Sequence, residues 1–204
     1  MPIPLPPAQA LSSTTLTQAL AARRSRRQYG DGDIDLRHLA QLLWAAQGST
    51  GDGRQCTAPS AGAQYPMETR VVAGRVEDLA AGVYRYRAAS HQLEALLDGD
   101  LRQQLCAAAL EEQPWVAQAA LVLALVADVE AMQLHFADQP PRGERGERYV
   151  YLEAGAMAQN IALQATALGL GAVLVGGFDD DAVAAVLDLP AGHRAGALLC
   201  IGNA

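Results

Sequence analysis

A chain of 204 residues with a formal net charge of -7 and a mean hydropathy of +0.05 is sized for one ordinary domain with a proper core. Its sequence pI of about 5.0 excludes a general nucleic-acid binder, whose affinity depends on neutralising many phosphates. Its cysteines, Cys56, Cys106 and Cys200, are too widely spaced for a disulfide framework or a zinc site and suit a reducing cytosol.

In chain order, MPIPLPPAQ lacks the basic start and apolar core of a signal peptide, and its prolines predict an extended arm over residues 1–11. Ser12 and Ser13 are candidate N-caps for a helix through TTLTQALAARR. A second helix follows Asp35 in LRHLAQLLWAAQ, with Leu36, Leu39, Leu42, Leu43 and Ala46 as its buried stripe and Gly48 as its stop. Residues 49–66 are rich in glycine, serine and proline, which predicts a long loop of the kind that often carries function. ETRVVAG, GVYRYR and HQLEALL read as strands, the last two joined as a hairpin through Ala88–Ser90.

DLRQQLCAAALEEQ reads as a helix and the apolar run 119–127 as a buried strand, too short to cross a bilayer. Residues 128–143 read as irregular. A long alanine-rich helix is expected from about Gly146 to Leu168, ended by Gly169 and Gly171. A strand AVLVG, the turn GFDD, a helix DAVAAVLDL and a last strand GALLCIG complete the chain. No repeat or linker divides it, so residues 1–204 are expected to form one unit. Interleaved helices and strands with a hairpin predict an α+β fold.

The residues that carry chemistry stand in three places. RRSRRQYG, residues 23–30, puts four arginines within five residues of an acidic chain that has no lysine. Guanidinium groups grip phosphate through paired hydrogen bonds, so Arg23 and Arg27 could converge on one anion with the Ser25 hydroxyl. A solvated helix end, favoured by the helix dipole, is the alternative. In APSAGAQYP, residues 58–66, small side chains let backbone approach a flat ligand, and Gly62 permits unusual dihedrals; taken alone, the stretch reads better as a plain surface loop. In VGGFDD, residues 175–180, paired glycines after a strand either expose backbone to a ligand or serve only the turn into a capped helix.

No histidine pair has metal-ligand spacing, no C-x-x-C or G-x-S-x-G is present, and no G-x-G-x-x-G follows a strand. Chemistry by a nucleophile or a metal therefore lacks residues, no catalytic side chain is assigned, and a bound organic cofactor would have to supply the reaction.

Taken as an ordered set, the chain resembles the nitroreductase family of flavoenzymes, and within it the SagB-type oxidoreductase branch. The matching segments are RRSRRQY at 23–29, LLWAAQG at 42–48, APSAGAQYP at 58–66, GVYRY at 82–86, GERYVYLEAGAMAQNIALQATALGLG at 146–171 and VGGFDDDAV at 175–183. The resemblance implies an α+β fold with a central sheet flanked by helices, and an interlocked homodimer with FMN at its interface. It implies that Arg23 and Ser25 hold the flavin phosphate and ribityl chain, with Arg24 nearby and Arg27 at the pyrimidine side of the ring. Pro59, Ser60, Ala61 and Gly62, from the partner chain, would line the flavin edge. Gly176 and Gly177 would place backbone by the redox-active nitrogen, Asn160 matches a family asparagine near the interface, and Gln113 would hydrogen-bond the pyrimidine.

The activity so implied is hydride transfer from NAD(P)H or an oxidisable substrate, through FMN, to a second small molecule in the cytoplasm. The alternatives are dehydrogenation of a thiazoline- or oxazoline-type intermediate, and a flavin-binding module without turnover. Gly176 stands where many members have glutamate, as expected for the SagB-type branch. Pro141-Arg142 stands where azoline-oxidising members carry a Lys-Tyr pair. The sequence ends at Ile201–Ala204 without the basic tail that many members bring to the phosphate, which places that task on the arginines near residue 25.

Overall fold

The computed structural model describes residues 2–9, 11–51, 53 and 55–204. Its centre is a seven-stranded sheet in the order β1-β6-β5-β4-β7-β9-β8, each neighbour antiparallel to the next. The strands are β1 (Ile3–Pro4), β4 (Met67–Ala73), β5 (Gly82–Arg87), β6 (Gln92–Asp98), β7 (Leu121–Asp128), β8 (Leu170–Val175) and β9 (His193–Asn203). A separate two-stranded ribbon pairs β2 (Ser49–Thr50) with β3 (Gln55–Cys56). This is the expected α+β class, with an antiparallel sheet.

The apolar run that predicts β7 is buried from Leu121 to Ala127, because helices cover both faces of the sheet at its centre. On one face pack α2 (Leu36–Gln47), α5 (Val129–His135) and α6 (Arg145–Ala167). On the other pack α3 (Arg102–Ala108), α4 (Trp115–Gln118) and α7 (Asp180–Val186). Fully burying one leucine or valine is worth roughly 1.5–3 kcal/mol, so these two layers dominate the stability. A shorter helix, α1 (Leu16–Ala22), packs against α6.

Several boundaries differ from the sequence reading, each for a local reason. The first helix begins at Leu16 because Thr15 caps it, not Ser12 or Ser13: its hydroxyl accepts from Gln18 N–H, and the Gln18 side chain accepts from Thr15 N–H. The helix expected through 100–113 stops at Ala108, where Ala109 turns to bridge Phe178 across the fold. Residues 129–135 are helical, not irregular: the Asp128 carboxylate caps α5 by accepting from Ala131 N–H at 2.9 Å. The expected loop at 49–66 contains the β2–β3 ribbon and a single 3-10 turn, Ala61–Ala63. Within the arm expected at 1–11, Ile3 and Pro4 pair with β6; Met1 and Ala10 lie outside the described residues.

Candidate functional site

The arginine segment leaves α1 at Ala22 and crosses the open edge of the sheet. Ser25 bridges Ala172 of β8 in parallel, and Arg26 N–H donates to the Ala172 carbonyl at 2.9 Å. The segment is pinned at its far end by Tyr29, whose hydroxyl donates to the Cys200 carbonyl at 3.2 Å. Burial pushes that phenol well above its usual range, so it stays a neutral donor. The Tyr29 ring lies directly on Gly202, where a side-chain carbon would meet Tyr29 Cγ at 2.7 Å. Only a glycine in β9 leaves that room.

Arg24 donates to the Ala21 and Arg23 carbonyls, and the Arg27 guanidinium lies 5.2 Å from the ring centroid of Trp115. Among the described residues, Arg23, Arg24, Arg26 and Arg27 form no ion pair. Arginines 37, 70, 85, 87, 102 and 194 do, whereas Arg75, Arg142, Arg145 and Arg148, more widely spaced along the chain, do not. In an acidic protein, four neighbouring cations without a carboxylate partner offer donors that an anion can take. A cleft of about 540 Å³ borders them, lined by Ser25, Arg26, Arg27, Tyr29 and Ala204 among others.

The VGGFDD turn leaves the end of β8, beyond the Ala172 that Ser25 bridges. The Gly177 carbonyl accepts from Leu110 N–H at 2.9 Å and from the Gln113 amide at 2.8 Å, and Asp179 caps α7. Gln113 also donates to the Leu110 carbonyl, so both amide hydrogens are committed and its Oε1 remains as an acceptor. Gly176 is exposed.

The 58–66 loop sits elsewhere, against α5 and α6. Glu153, on the buried stripe of α6 with Val150, Met157 and Ile161, accepts from Ser60 Oγ at 3.1 Å and from Ala61 N–H at 2.9 Å through one oxygen. Burial raises the Glu153 pKa above the usual carboxylate range, and these two hydrogen bonds oppose that rise. Ser60 Oγ in turn accepts from Tyr65 N–H at 2.7 Å. The backbone is tightly wound: Gly62, Ala63 and Tyr65 have φ of 60°, 54° and 48°. For Ala63 and Tyr65 that left-handed region costs roughly 1–2 kcal/mol each, so the loop's shape is imposed by its anchors. Two turns along α6 from Glu153, Asn160 donates to the Thr57 carbonyl at 3.2 Å. Asn160 also lines a hollow of about 260 Å³ with Thr57, Trp44 and Gln164.

The structure thus gathers the sequence candidates into two groups. Gln113 meets Gly177 through its side-chain amide, and two residues along the chain Trp115 meets Arg27. Ser60 and Ala61 meet at Glu153 of α6 and Gly62 lies against Phe136 at the end of α5, whereas Asn160 reaches Thr57. Among the described residues no hydrogen bond joins the two. Sequence reasoning missed Glu153 and Trp115. Helical phase marks the first, because an acid at 153 falls on the same stripe as Val150 and Met157; the second carries no local signal.

A family model described as the nitroreductase family matches residues 20–203. The chain belongs to the nitroreductase family. A Methanocaldococcus jannaschii protein named as a nitroreductase is 39% identical over 174 residues, 85% of this chain and 84% of the relative. A nitroreductase crystal structure from Ralstonia eutropha superposes with a TM-score of 0.83 at 31% identity, over 100% of this chain and 89% of that one. A chain of the Escherichia coli microcin synthetase complex, solved with truncated pro-microcin bound, gives 0.69 at 25% identity, over 89% of this chain and 70% of that one. Nitroreductase-family membership makes this chain an FMN-dependent oxidoreductase. Its own residues fit the flavin: free guanidinium groups for a phosphate dianion, an open amide acceptor for the ring's imide N–H, and glycines that admit a flat ring. Among the described residues there is no group of three or more acids, histidines or cysteines that could hold a metal, and no helix long and apolar enough to cross a membrane.

Proposed function

We propose that the chain works as a cytoplasmic homodimer of the SagB-type branch, one domain per chain, with an FMN cleft built at each end of the interface from both subunits. NAD(P)H or an oxidisable substrate gives up a hydride in one half-reaction, and a second small molecule receives the electrons in the other. The flavin, when bound, supplies the carrier chemistry. The observation that carries this reading is the arginine segment, four cations without carboxylate partners among the described residues, linked through Trp115 and Gln113 to a glycine turn.

In this reading Arg23 and Ser25 take the phosphate and ribityl chain, with Arg24 nearby. Arg27 faces the pyrimidine edge, where its charge favours the negative charge that reduction adds. Gln113 Oε1 accepts from the ring imide, and backbone at Gly176 and Gly177 borders the redox centre. Pro59 to Gly62 come from the partner chain, which is supported by the anchoring of Ser60 and Ala61 on Glu153 of α6, with no hydrogen bond among the described residues to Gln113 or Arg27. Asn160 stands near the interface as a cofactor-site residue, its amide N–H holding the Thr57 carbonyl while its Oδ1 stays open toward the hollow it lines. Water serves the proton transfers. The dimer is supported by exposed leucines on the two helices beside this face, Leu16, Leu20 and Leu152, and by Gly155, whose Cβ position is open.

The likeness to a microcin synthetase chain favours a second reading, dehydrogenation of a thiazoline- or oxazoline-type intermediate on the same flavin; Pro141-Arg142 in place of the Lys-Tyr pair opposes it. One experiment separates them: the visible spectrum of the FMN-saturated protein, recorded without oxygen after adding NADH, NADPH or a thiazoline peptide. Bleaching by a nicotinamide supports the first reading and bleaching by the thiazoline alone the second. A flavin that no donor bleaches marks a binding module, and protein that stays colourless with FMN overturns all three.

A further inference from the structure

Arg27 is exposed and, among the described residues, has no carboxylate to hold it. A long free side chain must be ordered when a ligand arrives, and that entropy weakens binding unless the fold meets it beforehand. Against its guanidinium lies the indole of Trp115, at 5.2 Å from the ring centroid. Trp115 opens α4 directly after Pro114, and the same short stretch includes Gln113, which is stapled to the Gly177 carbonyl. One rigid segment therefore touches both the glycine turn and the arginine.

The indole is a costly choice for this position. Trp115 Nε1 is buried and, among the described residues, has no acceptor, which costs stability that a phenyl ring would not incur. What tryptophan offers over phenylalanine is the strongest face for a cation. Resting on the flavin reading above, we propose that Trp115 is a positioning residue. Its indole face fixes the Arg27 guanidinium at the pyrimidine edge of the bound FMN, setting both FMN affinity and the ease of reduction.

The test uses Trp115→Phe, Trp115→Leu, Arg27→Leu and the double variant Trp115→Leu/Arg27→Leu. FMN dissociation constants come from fluorescence titration, and potentials of the bound flavin from equilibration with a reference dye. Trp115→Phe weakens FMN binding about threefold with a Tm equal to or above wild type. A merely structural role would move Tm and leave affinity alone. Trp115→Leu weakens binding about tenfold. It also lowers the preference for the reduced ring by about tenfold, ~30 mV for a two-electron couple. Arg27→Leu does the same, and the double variant is no worse than Arg27→Leu, because both remove one interaction.

Additive effects in the double variant overturn the proposal and leave the flavin reading standing. So does a Trp115→Leu protein with unchanged affinity and potential while Arg27→Leu alters both. If Trp115→Leu does not fold, Trp115→Phe decides the matter: unchanged FMN affinity there overturns the proposal. A wild type that binds no FMN removes the flavin reading and this inference together.

Discussion

The two halves of the candidate site are built on opposite plans. The 58–66 loop is satisfied from within: its buried carboxylate, Glu153, is committed to Ser60 and Ala61, and Ser60 is committed again to Tyr65. The arginine segment is fixed at its backbone, at Tyr29, by Arg24 on two local carbonyls and by Arg27 on Trp115, while its guanidiniums are left without carboxylate partners among the described residues. A half that is complete alone can be lent to a neighbouring chain as a rigid wall. A half with uncommitted charge has donors left over for a ligand. On the proposed function, the contrast accounts for a strongly basic spot on an acidic chain: its donors stay available to an anion.

Removing the anchor of the satisfied half has the largest expected effect. Glu153→Ala leaves the Ser60 hydroxyl and Ala61 N–H without their acceptor, at roughly 1–3 kcal/mol for each unsatisfied group. With Ala63 and Tyr65 already in the left-handed region, the loop has no reason to keep its shape. The variant should lose several degrees of Tm and show more than tenfold weaker FMN binding. Glu153→Gln, which retains one acceptor oxygen, should lie much closer to wild type in FMN titration. Equal losses for the two would mean that charge, not the hydrogen bonds, shapes the loop.

How far each half is legible in the sequence follows from the same contrast. The arginine segment stands out because its charge is a local anomaly, and a cluster in an acidic, lysine-free chain needs no tertiary knowledge to be noticed. The strand β7 and the helix α6 are equally plain, being long and strongly patterned. Glu153 is hidden because a glutamate in an alanine-rich helix reads as solvated until the loop that covers it is known. Trp115 is hidden because the helix expected through 100–113 breaks at Ala109 for a contact with Phe178, far away in sequence. Short helices such as α5 escape because a seven-residue segment with one acidic cap carries little periodicity.

The unsatisfied half should fail differently. Arg23→Ala should weaken FMN binding ten- to a hundredfold, as expected for loss of a charge-assisted hydrogen bond of about 1.5–3 kcal/mol, with Tm of the ligand-free protein unchanged. Riboflavin, which lacks the phosphate, should bind both proteins alike. If the halves of one site come from two chains, Arg23→Ala and Glu153→Ala protomers complement each other. Unfolded together at equal amounts and refolded, they should recover about a quarter of the wild-type number of tight FMN sites, since half the dimers are mixed and each mixed dimer has one intact cleft. No recovery would place both halves of a site in one chain.

The smallest effect is a linkage slope. Burial raises the Glu153 pKa in the folded protein above its ordinary value of 4.5, so the native state binds this proton more tightly than the unfolded chain. Stability contributed by the group is then fully present below the unfolded pKa and is lost as pH rises through the folded one. Glu153→Gln cannot titrate, so its Tm should fall less than that of wild type between pH 4.5 and neutrality, the two curves converging toward acid apart from a constant offset. The opposite slope would mean that the hydrogen bonds from Ser60 and Ala61 outweigh desolvation. The satisfied half would then be held by the carboxylate's charge, and the distinction between a loop that commits its charge and a segment that reserves it would vanish.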